Sequence, residues 1–303
     1  MVQYFQLMLR SLIWLLLTRK IIEANEGKII GGRLAQPGEF PYQLCMYGKY
    51  RCGGALITLN RFITAAHCFI YKGTKLDISK QYMVAGVVDC NKADDPYFQQ
   101  RGIVNYVVHP EYRNKMDKTS YHDFAVGILD KPFIENDRVK PGKIPTSDPD
   151  AFRQIWIEIV NSGKKCLAMG YGAQQGEKGI YSMQWGYDIR VIEVQPKDDK
   201  YCKGTLVYET DKKLDGEVCA VAVDLEKESM APGDSGSGFV CDGYLLGVNT
   251  GGLFMEGQNL QLFTLAYPYL KFFTMDTAVS QSACTALVIF CVLTVASVNA
   301  VHL

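Results

Sequence analysis

The sequence predicts an all-β fold of antiparallel strands, closed into barrels or packed as a sandwich. Short apolar or alternating runs recur along the chain, among them FPYQLCMY, GGALITL, QYMVAGVV, DFAVGIL and GEVCAVAV. Gly, Pro, Asn or Asp bounds each run, which is typical of short strands that end in turns. Helical periodicity is poor except in YPYLKFFTM and in the tail that follows it, so the pattern excludes βαβ units.

A linker divides these runs into two halves. The stretch KPGKIPTSDPD at residues 140–150 is rich in Pro and Asp, which interrupt regular structure. We therefore predict one barrel at about residues 29–145 and a second barrel at about residues 151–268. The periodic segment YPYLKFFTM predicts a C-terminal helix next to the second barrel.

The composition narrows the class of protein. The 303 residues are 48% hydrophobic, which excludes a disordered chain. Lys and Arg total 32 and Asp and Glu total 32, and this zero net charge argues against a nucleic-acid partner. The 10 cysteines are mostly widely spaced and contain no C-x-x-C pair. Such cysteines indicate disulfides, which form in an oxidising compartment.

Both termini carry apolar segments that indicate export. QLMLRSLIWLLL contains an apolar core too short to span a bilayer, so we predict a signal peptide at residues 1–18, with an amphipathic helix as the alternative. Residues 277–303 form an apolar tail that predicts a transmembrane segment or the signal for a lipid anchor, with a core helix as the alternative. We expect the protein to be secreted or held at the extracellular face of the plasma membrane.

Three short stretches carry side chains suited to nucleophilic catalysis. ITAAHCF contains His67, HDFAVGILD contains Asp123, and APGDSGSG contains Ser235. A serine hydroxyl needs a base such as imidazole, and a buried carboxylate fixes the tautomer of that imidazole. Each stretch alone also fits a structural role: Ser235 in a glycine-rich turn, His67 in the core and Asp123 as a turn cap. His122, beside Asp123, is an alternative base.

Five motifs, in order along the chain, resemble those of the chymotrypsin/trypsin family of serine proteases. They are KIIGG at residues 28–32, TAAHC, VHPEY, CLAMGYG and GDSGSG, and the last departs from the family's G-D-S-G-G-P only after Gly236. The resemblance covers residues 28–275 and implies a protease domain at residues 29–276. It implies a chymotrypsin-like fold of two antiparallel six-stranded β-barrels and a serine endopeptidase that acts on polypeptides.

The resemblance also implies a role for each residue of the site. His67 would act as general base and then general acid, Asp123 would orient it, and Ser235 would attack the scissile carbonyl. The backbone N–H groups of Gly233 and Ser235 would form the oxyanion hole. Thr250, in GVNT, matches the family's serine that supports the buried aspartate.

The motif KIIGG implies that the protein is made as a zymogen. In the family, cleavage after a basic residue, here Lys28, frees the amino group that would belong to Ile29. That amino group would pair with Asp234, because a buried carboxylate is costly without a compensating partner. Residues 19–28 are then a pro-segment, and an activating protease is an expected partner. A protein inhibitor is a second possible partner.

The cysteines fit the same family. The resemblance implies three disulfides, Cys52–Cys68, Cys166–Cys241 and Cys202–Cys219. We hypothesise that Cys45 and Cys90, both on predicted strands of the first barrel, pair as well. The two remaining cysteines, Cys284 and Cys291, lie in the apolar tail.

The substrate pocket departs from the family pattern. The resemblance places Ser229 at the base of the pocket, so the sequence does not predict a strict Lys/Arg preference, although an alignment shift would bring in Glu228. Thr250 and Gly252 are expected to line the cleft, and Gln261 stands in place of a small glycine that keeps the pocket open. We therefore expect a pocket that is narrow, shallow or closed.

The cleft also lacks an aromatic wall residue at Gly251, and we predict neither a cofactor nor a metal site. Val87 stands where the first ligand of the family's calcium loop would be. These features leave two hypotheses. The first is a secreted or membrane-tethered serine endopeptidase made as a zymogen. The alternative is a catalytically weak or inactive binding protein with the protease fold and a remodelled cleft.

Overall fold

The computed structural model describes residues 32–113, 122–176, 179–205, 216–224, 228–255 and 258–275. Side chains are described throughout these ranges except at residues 174–185, 203–205, 253–255 and 258–259. The predicted signal peptide, pro-segment and C-terminal tail lie outside them, as do the residues Lys28, Ile29, Cys284 and Cys291. Within the described ranges, no helix has both the length and the apolar character needed to cross a bilayer.

The first barrel is a closed ring of six antiparallel strands, as predicted. Its strands are β2 (Gln43–Tyr47), β3 (Cys52–Thr58), β4 (Arg61–Thr64), β7 (Tyr82–Ala85), β8 (Gln99–Val108) and β9 (Ala125–Leu129), in the order β2-β3-β4-β9-β8-β7. Two short strands, β5 (Ile70–Tyr71) and β6 (Thr74–Lys75), form a separate hairpin. Leu44, Leu56 and Phe62 fill the barrel and are completely buried, which contributes about 1.5–3 kcal/mol for each side chain.

The second barrel also closes. Its strands are β10 (Cys166–Gly170), β13 (Arg190–Pro196), β14 (Glu217–Ala222), β15 (Gly238–Cys241), β16 (Tyr244–Met255) and β17 (Gln258–Leu265). They follow the order β13-β10-β15-β16-β17-β14, and the pairing of β13 with β14 closes the ring. The short β1 (Arg33–Leu34) adds to the outer edge of β13, and β11 (Ala173–Gly176) pairs with β12 (Gly179–Trp185) as a separate hairpin.

An α-helix that sequence analysis missed lies between the two barrels along the chain. Helix α1 covers Pro149–Ser162, where the sequence predicted only a linker that runs into the second barrel. Asp148 caps its first turn by accepting hydrogen bonds from the next backbone N–H groups, and Gly163 ends it with a φ of 66°. Phe152, Trp156 and Ile159 are buried at i, i+4 and i+7. Because Pro is tolerated in the first turn of a helix, the Pro- and Asp-rich stretch begins this helix rather than preventing it.

The predicted C-terminal helix is present as a 3₁₀ helix, Tyr267–Thr274. It buries Tyr267, Tyr269 and Phe272, and the ring of Tyr269 stacks on Phe124 of the first barrel at 4.6 Å. This helix follows the second barrel in the chain and packs against the first barrel. A further short α-helix, α2, covers Asp199–Thr205.

Four disulfides hold the described chain. They include the three implied by the resemblance, Cys52–Cys68, Cys166–Cys241 and Cys202–Cys219, and the hypothesised pair Cys45–Cys90. The Cys52–Cys68 bridge spans 16 residues, a loop length for which the chain-entropy model gives about 3 kcal/mol. It ties strand β3 to the turn that carries His67.

Candidate active site

Strand register brings His67 and Asp123 together. Strands β4 and β9 pair side by side, with Thr64 opposite Ala125, and His67 follows β4 on a one-turn 3₁₀ helix while Asp123 precedes β9. The Nδ1 atom of His67 lies 2.7 Å from Oδ2 of Asp123, and the backbone N–H of His67 donates to Oδ1 at 2.9 Å. Asp123 is only 1% exposed. Its carboxylate therefore holds the proton on Nδ1 and leaves Nε2 of His67 as the acceptor.

The electrostatics of this pair favour the protonated ring. Burial alone lowers the pKa of His67, but the charge of Asp123 and the hydrogen bond to it outweigh that effect and raise the pKa above the usual 6.5. The pair thus stabilises an imidazolium, which is the state that a general base reaches after it takes a proton.

Ser235 lies on a tight turn at the seam of the two barrels. Gly233 has a φ of 101° and Gly236 a φ of 82°, conformations that L side chains rarely adopt. The backbone N–H of Gly53 in the first barrel donates to the carbonyl oxygen of Ser235 at 2.7 Å. A Cβ atom on Gly236 would lie 2.1 Å from Oγ1 of Thr64, the residue that ends β4. The glycines therefore let the Ser235 turn approach the part of the first barrel that carries His67.

Two backbone N–H groups of this turn, those of Gly233 and Ser235, are suited to donating hydrogen bonds to an oxyanion. Among the backbone hydrogen bonds of the described residues, none uses the N–H of Gly233 or of Ser235 as donor. The neighbouring N–H groups of Asp234 and Gly236 are engaged, with the carbonyls of Ala231 and Asn249 respectively. The turn thus engages its other donors and leaves the two predicted ones available.

Asp234 is completely buried behind the Ser235 turn. Its carboxylate accepts the N–H of Gly172 at 2.7 Å and that of Ala231 at 2.8 Å. Burial nevertheless raises its pKa to about 7, against the effect of those two hydrogen bonds. A Cβ atom on Gly170 or Gly172 would meet the carboxylate at 2.0 Å or 2.6 Å, so only glycine fits there. No ion pair within the described ranges includes Asp234.

Gln261, which the sequence places in the substrate pocket, is buried against Ser229 and Met230. This side chain is 0% exposed, its Oε1 accepts the N–H of Met230 at 3.1 Å, and its Nε2 donates to Oγ of Ser229 at 3.4 Å. Ser229 is itself only 4% exposed. Gly252 stands opposite Gln261 in the β16–β17 register, and a Cβ there would lie 3.1 Å from its Oε1. Thr250, on β16, is half-buried.

His122 does not serve as an alternative base in this geometry. Its Nδ1 lies 3.0 Å from the hydroxyl of Tyr269, and its ring stacks on that of His109 with centroids 3.9 Å apart. Its Nε2 is 3.7 Å from a carboxylate oxygen of Glu111. The ring is therefore engaged with these groups, and it is His67 that contacts Asp123.

Sequence analysis missed two polar residues around the site, one buried and one half-buried. Asn249 is 0% exposed and donates from Nδ2 to the carbonyl of Met169 at 2.7 Å and to that of Asp234 at 3.3 Å. Glu217 accepts the N–H of His122 at 3.1 Å, and burial raises the pKa of its carboxyl to about 8. The sequence does contain an indication of both residues, because each is a polar residue in an apolar strand segment. Asn249 lies in GVNT, and Glu217 lies at the start of GEVCAVAV.

Two antiparallel six-stranded barrels, with a His–Asp pair and a glycine-flanked serine at their seam, define the chymotrypsin class of fold. The family model described as Trypsin matches residues 29–273 of the chain. The chain therefore belongs to the trypsin family, and at the level of that family it is a serine peptidase.

Curated relatives agree at modest identity. The chain is 28% identical over 238 residues to submandibular glandular kallikrein-9 of Rattus norvegicus, a match that covers 75% of this chain and 80% of the relative. Renal glandular kallikrein of Mastomys natalensis is 26% identical over 238 residues, and tonin of Rattus norvegicus is 27% identical over 236 residues. These two matches also cover 75% of this chain and 80% of each relative.

Proposed function

We propose that this protein is a serine endopeptidase, made as a zymogen and exported, that hydrolyses peptide bonds through an acyl-enzyme. The observation that carries the proposal is the buried carboxylate of Asp123 bonded to the ring of His67, on the side of the first barrel that meets the Ser235 turn. The four disulfides support folding in an oxidising compartment.

In the proposed mechanism, Nε2 of His67 takes the proton of the Ser235 hydroxyl as its oxygen attacks the scissile carbonyl. The carboxylate of Asp123 stabilises the imidazolium that results. The N–H groups of Gly233 and Ser235 donate to the carbonyl oxygen as it gains negative charge, and each such donor is worth about 10²–10³ in rate. His67 then returns the proton to the leaving amine. In the second half of the reaction His67 takes a proton from water, which attacks the acyl group, and then returns that proton to the oxygen of Ser235 as the acyl group leaves.

The proposal is tested by an activity-based fluorophosphonate probe on protein cleaved after Lys28. Attack by an activated serine transfers the phosphonyl group to its oxygen and releases fluoride. We expect labelling of the cleaved protein and none of the Ser235→Ala variant. Verified cleavage without labelling would instead support the alternative, a binding protein with the protease fold, which the burial of Gln261 in the predicted pocket favours.

The rate of hydrolysis should fall at acidic pH because His67 must be neutral to accept a proton. Its pKa is raised above 6.5 by Asp123, so the protonated and inactive form accumulates as pH falls through that raised value. We expect kcat/KM of the cleaved protein to lose about tenfold per pH unit below the midpoint, measured between pH 5 and 9. An NMR titration of the His67 ring in Ser235→Ala protein should give a comparable midpoint, and a rate that is constant down to pH 4 would exclude this role.

We further propose that Gln261 closes the floor of the pocket and so restricts the peptidase to small residues at P1, the position before the scissile bond. The amide of Gln261 occupies the volume between Gly252 and Ser229 that a long P1 side chain would need.

Replacing Gln261 with Gly should open this pocket. We expect kcat/KM for substrates with Leu or Phe at P1 to rise by at least about 10- to 200-fold, the range for a single methylene in an apolar pocket, while Ala substrates change little. The matched control is Gln261→Met, which keeps a side chain of similar length and should keep the floor closed. A peptide-library profile measures both, and an unaltered P1 preference in Gln261→Gly would contradict the assignment.

A further inference from the structure

We propose that a surface beside His67 docks an acidic segment of a polypeptide substrate. The surface consists of four side chains, which we call the Lys–Tyr patch, namely Lys49, Tyr50, Tyr71 and Lys72. The statement that the segment belongs to a substrate rests on the proposed peptidase function. Binding of an acidic peptide to the patch does not depend on that function.

The charge of this part of the chain is one-sided. Residues 40–76 contain five Lys or Arg residues and neither Asp nor Glu, although the whole chain has no net charge. Lys49 and Lys72 are exposed, and neither has an ion-pair partner among the described residues. The first acid that follows, Asp77, lies 3.3 Å from Lys80, which offsets its charge. The two ammonium groups of the patch can therefore attract carboxylates of a partner.

Two hairpin turns bring the patch together. Tyr50 lies in the turn between β2 and β3, and Tyr71 ends β5, where it pairs with Thr74 of β6. The two residues between that pair, Lys72 and Gly73, have φ values of 51° and 75°, as in a tight type I′ turn. The rings of Tyr50 and Tyr71 contact each other, with centroids 4.4 Å apart and planes tilted by 37°. This ring contact joins the two turns into one surface.

Arg51 holds the turn between β2 and β3 in place. Its guanidinium carbon lies 4.7 Å from the ring centroid of Tyr47 and 4.1 Å from that of Tyr187. The guanidinium also donates a hydrogen bond to the carbonyl oxygen of Gly186. Since Arg51 is fixed between two rings, the turn that carries Tyr50 is ordered before a partner binds. Docking on such a preformed surface loses little conformational freedom.

The aromatic rings indicate the class of partner. Tyr50 is 37% exposed and Tyr71 is 36% exposed, and the Nζ atoms of Lys49 and Lys72 lie 5.6 Å and 5.4 Å from the centroids of these two rings. Tyrosines are enriched where proteins bind one another. Anionic membranes and sulfated glycans are instead bound by clusters of about four to eight Lys or Arg. Two rings that each carry an ammonium group fit a peptide in which an apolar side chain lies beside carboxylates.

The patch adjoins the candidate active site. Cys52, at the end of the turn between β2 and β3, is bonded to Cys68, which follows His67. The next residue, Gly53, donates its N–H to the carbonyl oxygen of Ser235 at 2.7 Å. Because His67 protonates the leaving amine, the departing part of the substrate lies on the His67 side of the scissile bond. That part is therefore the segment that meets the patch.

Docking is tested by fluorescence anisotropy with full-chain Ser235→Ala protein, which lacks the nucleophile and leaves the probe uncut. The probe is the labelled peptide Glu-Glu-Leu-Glu-Glu, and its matched control has Gln in place of every Glu. We expect the Glu peptide to bind about 5- to 20-fold more tightly, because each exposed ion pair contributes up to about fivefold. This advantage should disappear between about 0.1 M and about 1 M salt, as the Debye length falls from about 10 Å to about 3 Å. Since no turnover is needed, the result stands even if the peptidase proposal fails.

Variants of the patch locate the binding. Lys49→Gln and Lys72→Gln should each weaken binding of the Glu peptide by about two- to fivefold. Tyr50→Ser should weaken it by about fivefold or more, whereas Tyr50→Phe, which keeps the ring, should bind like the parent. Thermal melts verify that each variant is folded.

The matched control for the charge is Lys75→Gln, on the same hairpin. Lys75 pairs with Ile70, so its side chain lies on the opposite face of the hairpin from that of Tyr71. We expect Lys75→Gln to leave binding of the Glu peptide unchanged. A loss equal to that of Lys72→Gln would mean that only the general positive charge attracts the peptide, and it would overturn the proposal.

The assignment to a substrate is measured separately, with active protein cleaved after Lys28. Library substrates with Glu after the scissile bond should have kcat/KM values about 5- to 20-fold above those with Gln there, and the variants Lys49→Gln and Lys72→Gln should reduce this difference. Docking of the Glu peptide without any such difference would overturn the assignment to a substrate. Equal binding of the Glu and Gln peptides would overturn the docking site itself. Tighter binding of a heparin-derived oligosaccharide that is unaffected by Tyr50→Ser would do the same.

Discussion

Replacing Ser235 with Ala is expected to lower kcat by about 10⁴–10⁶, because the acyl-enzyme route needs the hydroxyl of Ser235 as its nucleophile. His67→Ala should cost a similar factor. The double variant should lose little more, since the two residues act as one unit. Initial rates on a peptide-library substrate, with protein cleaved at Lys28, measure the effect.

The chain offers a matched control in Ser237, two residues further along the same turn. Ser237 is also buried, and its hydroxyl makes no hydrogen bond among the described residues. Ser237→Ala should therefore retain activity and fold at least as stably as the parent. Equal losses in Ser235→Ala and Ser237→Ala would mean that the turn tolerates neither change, and the nucleophile assignment would fail.

Lys28→Gln should leave the protein full-length and at least about 10²-fold less active. The carboxyl of Asp234 is completely buried, and burial raises its pKa to about 7. An α-amino group, with an ordinary pKa of about 7.7–8.0, is a suitable cationic partner, and cleavage at Lys28 would create one on Ile29. Without it, we expect the Gly233–Ser235 turn to be misshapen. Loss of one oxyanion donor alone costs about 10²–10³ in rate.

The pro-segment contains its own control. Lys20 also precedes two isoleucines, so Lys20→Gln removes a basic residue from a similar local sequence without touching KIIGG. We expect Lys20→Gln protein to be cleaved after Lys28 and to be as active as the parent. N-terminal sequencing identifies the new terminus, and full turnover by uncleaved Lys28→Gln protein would remove the zymogen proposal.

Most of the fold was predictable because its strands are encoded locally. Runs such as GGALITL and DFAVGIL are bounded by turn residues, and they form β3 and β9 of the first barrel. Helix α1 was not predicted, because Asp148 and Pro149 are residue types that commonly interrupt regular structure. In the structure they instead form the N-cap and the first residue of the helix. The burial of Phe152 and Trp156 becomes evident only once the second barrel and the C-terminal 3₁₀ helix provide a surface for that helix.

The substrate pocket shows where prediction from sequence ended. The sequence placed Gln261 in the pocket and predicted a narrow, shallow or closed one. The choice among these depends on the χ angles of Gln261 and on its two partners, Ser229 and the N–H of Met230, which lie 32 and 31 residues away along the chain, respectively. Such partners follow from strand pairing rather than from local pattern.

The sequence by itself determined the strands, the cysteines available for pairing and the three side chains suited to nucleophilic catalysis, because turn residues, alternation and motif spacing are properties of neighbours along the chain. The tertiary structure decided which groups meet. Barrel closure set the 2.7 Å contact of His67 with Asp123, buried Asp234 with no ion-pair partner among the described residues, placed Gln261 against Ser229 and brought His109 to His122. Distances between residues far apart in sequence depend on how strands pair, and a linear pattern does not contain that information.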